Sequence, residues 1–274
     1  MSGRRIVAAF EPATASPSAI AVAVDVAALL DAELVAVFVE DEQMLGLAAL
    51  SVAREVRMPG GATGELDRSR IESEVRGLVA RARRELGKQA RAHGVRWSFR
   101  VVRGHVPVEI AAAAAAEGAE LVLVETATRP LASGLRLRSQ ARSTVAHTTQ
   151  PVMLVPPQGG ASQGVSAVWD SDDDVSRNVV RTAASLASTS GTELRVFTTD
   201  PTEAERQSAA MGVVASDRAP VSWWPLPADG SSAVAALLRM TRGTLVIGAR
   251  STMLLDRGAW AEIERATCRV VVVR

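Results

Sequence analysis

Two stretches of the chain run through the same order of elements. Residues 104–155 pass from Gly104 through the alanine-rich VPVEIAAAAAAEG and the apolar ELVLVET to a closing PVMLV. Residues 228–273 repeat that order as ADGSSAVAALL, TLVIGAR and RVVVV. Each copy opens on an apolar run that ends in an acid, RIVAAFE at 5–11 and VSAVWD at 165–170. A duplicated α/β unit explains this echo better than one large domain.

Residues 5–10 read as a strand. Ser16–Pro17 starts a helix, since Ser suits the N-cap and Pro the first turn. ELVAVFV at 33–39 is almost unbroken in apolarity, as a strand covered on both faces should be. The longest helix runs from Leu66 to about His93, with Ile71, Val75, Leu78, Ala82 and Leu86 on one face and a solvated charged face opposite. Residues 95–102 form a strand, and the helix after Gly104 stops at Gly118. ELVLVE, a helix across 139–148 and PVMLV bring the first copy to five strands. The second copy compresses the pattern: VSAVW, a helix over 175–188, ELRVFTT, a polar helix near 202–210, PVSWWPL, a helix over 231–240, TLVIG, a short helix near 258–266 and RVVVV.

Strands alternating with helices imply doubly wound, parallel, Rossmann-like sheets. The expected organisation is a first domain at 1–157, a linker at 158–164 within PPQGGASQG, and a second, shorter domain at 165–274. Residues 40–65 break the alternation and read as a surface excursion, either functional or mobile, with a short helix and a Pro-Gly-Gly turn.

Composition narrows the function classes. Lys+Arg at 31 against Asp+Glu at 30 gives a formal net charge of +1. The arginines read as scattered along the chain, which gives no case for nucleic acid or an anionic membrane. No apolar run is long enough to span a bilayer and no signal-peptide layout is present, so a cytoplasmic protein without membrane insertion is expected. The single cysteine, Cys268, excludes an internal disulfide and reads as a buried, inert thiol.

These residues resemble the universal stress protein family in its tandem form. The likeness rests on the acid after strand one (Glu11, Asp170), the Gly104 turn, the loop after an apolar strand four, and the closing Pro-Val-apolar strand of QPVMLV. Cys268 before RVVVV resembles the Cys-Pro-Val that often opens the last strand in that family. The resemblance implies two five-stranded domains of the adenine nucleotide alpha hydrolase-like kind. It also implies that the terminal strands PVMLV and RVVVV pair, forming an internal pseudo-dimer. A homodimer or a separate protein partner stays open.

Many members of that family bind ATP through a loop of pattern Gly-x2-Gly-x9-Gly-Ser/Thr. In the first copy that spacing falls on Glu125, Thr128, Arg138 and Ser139, so only the serine is kept. Glu125 would set a carboxylate on the phosphate path, and Arg136 or Arg138 could pair with it or with a phosphate. In the second copy Gly248 matches the first glycine and Ser251 the second, but the loop is shorter by about five residues. Candidate ligand positions are therefore Glu11, Val39, Glu125, Arg136, Arg138, Ser139, Asp170 and Gly248, with loop or capping acids as the plain alternative. No cofactor, metal or catalytic residue is expected. The expected function is a non-enzymatic stress-response sensor or interaction module with degenerate ATP loops. The alternative is ATP or AMP binding through altered contacts in the first domain, with slow hydrolysis left open.

Other features have simpler readings. DSDDD at 170–174 has consecutive acids whose side chains diverge, so it fits a helix N-terminus better than a metal site. His93, His105 and His147 lack metal spacing, and His105, beside the cleft, is the one to test. Of the adjacent Trp223 and Trp224, one should be core and the other exposed.

Overall fold

The computed structural model of the protein describes residues 3–11, 15–42, 54–57, 62–65, 68–126, 140–156, 158, 163–171, 173–210, 219–227, 231–255 and 258–274. The chain divides into two compact units, Met1–Thr148 and Thr149–Arg274.

The first unit opens with β1 (Arg5–Phe10), whose residues from Ile6 onward are all buried. Helix α1 (Pro17–Leu29) follows, with the Ser16 side chain accepting from the Ala19 N–H and Pro17 in the first turn. Its Ala and Val residues are buried on most sides, as a helix wedged against a sheet requires. β2 (Glu33–Asp41) pairs parallel with β1 and runs two residues further than its apolar stretch suggests.

A two-stranded antiparallel hairpin, β3 (Arg54–Arg57) with β4 (Ala62–Glu65), lies in the stretch read as an irregular excursion. REVR and ATGE lack the apolar alternation that marks a strand from sequence, so pairing supplies what propensity does not. The short helix and Pro-Gly-Gly turn expected there fall outside the described residues.

Helix α2 (Arg68–Ala92) buries Ile71, Val75, Ala82, Leu86 and Ala90 on one face and packs on α1 and on β5 (Trp97–Gly104). Helix α3 (Val106–Glu117) ends at Gly118, whose φ of 58° is the left-handed conformation that glycine adopts without a Cβ clash. β6 (Leu121–Glu125) and the short α4 (Ala141–His147) complete the unit. Its parallel sheet has the order β6-β1-β2-β5.

The second unit begins with β7 (Val152–Val155), which pairs antiparallel with the last strand, β12 (Arg269–Val273). The expected pairing of PVMLV with RVVVV is present, in the register Leu154 with Val270 and Val152 with Val272. Between them come β8 (Val165–Trp169), α5 (Asp174–Ser190), β9 (Leu194–Thr198), α6 (Pro201–Ala210), β10 (Val221–Pro225), α7 (Ser231–Met240), β11 (Thr244–Gly248), a 3-10 turn at Thr252–Leu254 and α8 (Ala259–Glu264). The order is β10-β9-β8-β11-β12-β7, parallel except for the final pair.

Asp173 caps α5 by accepting from the Ser176 N–H at 2.7 Å, with Asp174 in the first turn, as a capping role for the acidic run requires. Cys268 is buried, and that burial pushes its thiol up to about 11. Trp223 is half-buried and meets the buried Trp169 edge-on, with ring centroids 6.3 Å apart, while Trp224 is 44% exposed. Neither adjacent Trp is thus a full core residue, because β10 is the outer strand of its sheet.

Candidate functional site

In an open α/β sheet, ligands bind beyond the carboxyl ends of the strands where strand order reverses. That point lies between β1 and β6 in the first unit and between β8 and β11 in the second. Glu11 follows β1 and Glu125 ends β6, so the first unit's reversal is flanked by two carboxylates. Asp170 follows β8 and Gly248 ends β11, flanking the second.

Glu11, Asp41 and Glu125 are 3%, 5% and 2% exposed. All three sit at the carboxyl ends of adjacent parallel strands. Burial, which disfavours the charged form, pushes Glu11 up to about 8, and the neighbouring Asp41 and Glu125 add like-charge repulsion. At neutral pH Glu11 therefore holds its proton and presents a neutral carboxyl. Glu125 accepts from the Ser16 backbone N–H at 3.2 Å, so the start of α1 is tied to the end of β6. Asp41 was not among the expected site residues. Its sequence signal is weak, since it lies two residues beyond the apolar run, and it is placed only by the parallel register of Asp41 with Gly104.

Val39 is fully buried within β2, in register with Val102. Arg136, Arg138 and Ser139 lie outside the described residues, as does Thr128. His105 precedes α3 without a side-chain capping bond and faces the His147 ring edge-on at 6.3 Å.

The second unit's edge is filled by its own groups. One Asp170 oxygen accepts three hydrogen bonds: from Ser251 Oγ at 2.7 Å, from the Thr252 N–H at 2.9 Å and from Thr252 Oγ1 at 3.1 Å. Ser251 in turn caps the 3-10 turn, and its N–H returns to the Gly248 carbonyl at 3.0 Å. The loop after β11 thus folds at once onto the acid after β8. Gly248 serves packing as well: a Cβ there would lie 2.9 Å from Val175 Cγ1 at the start of α5. Its lack of a side chain admits that helix to the strand end. The sequence marked Asp170, Gly248 and Ser251 but not their mutual bonding, which depends on the shortness of the loop.

A family model described as "Universal stress protein family" matches residues 3–156. The chain belongs to the universal stress protein family. It is similar in fold to a universal stress protein from Archaeoglobus fulgidus, with a TM-score of 0.66 and 16% identity over 98% of this chain and 96% of that one. A Pseudomonas aeruginosa protein described as functionally unknown has a TM-score of 0.58 and 14% identity, over 99% of this chain and 92% of its own. At these identities the likeness is one of fold. No curated protein matches the chain. Among the described residues, no helix is long and apolar enough to cross a membrane.

Proposed function

We propose that this chain is a tandem universal-stress module acting as a non-enzymatic stress-response sensor or interaction module, with both ATP loops degenerate. The observation that carries the proposal is the triple hydrogen bonding of Asp170 by Ser251 and Thr252. In nucleotide-binding relatives the corresponding acid lies by the adenosine. Here its acceptor oxygen is engaged by the loop that would have to open around the phosphates. The first unit supports the same reading. A triphosphate beside the neutral Glu11 would meet the same like-charge repulsion from Asp41 and Glu125 that raises Glu11, and at low dielectric that repulsion is strong.

The test is to purify the protein without added nucleotide, denature it and quantify released adenine nucleotide by mass spectrometry. A substoichiometric trace is expected, and near-equimolar ATP or AMP would overturn the proposal.

A second reading keeps ATP or AMP in the first unit by altered contacts. It is favoured by the preserved interval from Glu125 to Ser139, with Arg136 and Arg138 inside it. That reading requires Ser139→Ala or Arg138→Glu to weaken nucleotide affinity, and unchanged affinity would count against it.

A further inference from the structure

The basic residues, read as scattered along the chain, are concentrated in one helix. Helix α2 alone carries eight cationic residues against three carboxylates, in a chain whose formal net charge is only +1. The remainder of the chain is therefore net acidic. Within α2, Arg81, Arg84, Lys88 and Arg91 follow at steps of three, four and three residues, which places them in one row on the helix. All four are exposed, and the buried face of α2 lies opposite. At about 1.5 Å rise per residue the row is about 15 Å long.

Like charges at these spacings repel one another and weaken a helix. Elsewhere in the first unit, several surface arginines are paired, among them Arg4 with Glu120, Arg100 with Glu117 and Arg103 with Glu40. Among the described residues, none of the four in the row forms a side-chain hydrogen bond or an ion pair. Glu85, the nearest acid in sequence, accepts from Gln89 instead.

We infer that this row is a docking surface for an acidic segment of a partner protein, one that presents several Asp or Glu side chains within about 15 Å. Guanidinium groups match carboxylates in paired, charge-assisted hydrogen bonds, and three of the four cations are arginines. A nucleic-acid duplex fits less well. A duplex is drawn in by a positive field over the whole molecule, and a chain of formal net charge +1 lacks one. A membrane surface fits less well too, because the apolar residues of α2 are turned into the core and leave no face to insert. The inference does not depend on whether either unit holds a nucleotide.

The test is fluorescence anisotropy of a labelled oligoglutamate peptide with the full chain, at low and at physiological salt. The triple variant Arg81→Glu/Arg84→Glu/Lys88→Glu is compared with Arg181→Glu/Arg239→Glu/Arg265→Glu. The second triple changes the same charge at exposed positions of the other unit. We expect the row variant to lose about tenfold or more in affinity, and the control less than about twofold. Equal losses, no loss, or no measurable binding of the peptide to the native chain would overturn the inference. So would tighter binding of duplex DNA or phosphatidylserine vesicles that the row variant abolishes. A milder pair, Arg84→Gln/Lys88→Gln, relieves repulsion and should leave the melting temperature level or raised while peptide affinity falls. A parallel fall in both would mark a structural role and contradict the inference.

Discussion

Glu11 lies buried with two other acids, and its folded pKa of about 8 is well above its ordinary value of 4.5. The folded state therefore holds this proton more tightly than the unfolded chain does. The stability tied to it is fully present below the unfolded pKa and is lost as pH rises through about 8. From this group alone, stability should fall by roughly 3 kcal/mol between about pH 5 and about pH 8. Glu11→Gln, neutral throughout, should flatten that part of a plot of urea midpoint against pH. A variant profile parallel to the native one would show that another group titrates. Asp170 makes the opposite kind of contribution, as an acceptor already in use. Asp170→Ala takes the acceptor from the buried Ser251 hydroxyl, while the exposed Thr252 donors turn to water, and should lower stability by about 1 kcal/mol, read as a urea-midpoint shift. An unchanged midpoint would leave Asp170 idle and available to a ligand. Gly248→Ala sets a Cβ against Val175 and should cost about 1–2 kcal/mol, much of it restored by adding Val175→Ala. Both acids that end the opening strands were legible in the sequence, because a carboxylate closing an apolar run stands out. Their partners were not, since Asp41 and Thr252 arrive through strand register and loop folding rather than through spacing.

Helix boundaries were the most legible elements, for a local reason. Ser16–Pro17, Asp173 and Gly118 are capping residues whose chemistry acts within four positions of the chain. Ser16→Ala should cost about 1 kcal/mol, and Asp173→Ala about the same, each measured by thermal or urea unfolding. The backbone N–H of Ser16 that Glu125 accepts from is untouched by the first substitution, so a much larger loss would mean that the start of α1 itself has moved. The hairpin of β3 and β4 was not legible, because its strands are short and polar and are defined only by facing each other. The cationic row on α2 was missed for a related reason. A charge balance taken along the chain averages out what a helix gathers onto one side every three or four residues.

At the scale of the molecule, the chain divides into two compact units, each with a reversal of strand order among its parallel strands, and the strand that closes the first copy in sequence, β7, falls in the second unit. The pairing of β7 with β12 was expected only through the resemblance, and its antiparallel direction was not expected at all, since nothing in either apolar run encodes strand direction. Membership of the universal stress protein family sets the fold, and the residues at the two sheet edges set the departure from nucleotide binding that we propose. The first unit lines its edge with buried acidic side chains, and the second closes its edge with Asp170, Ser251 and Thr252. Isothermal titration of the nucleotide-free protein with ATP tests that account most directly. It predicts no binding heat up to millimolar ATP, and a saturable transition at micromolar ATP with about one site per chain or more would contradict it.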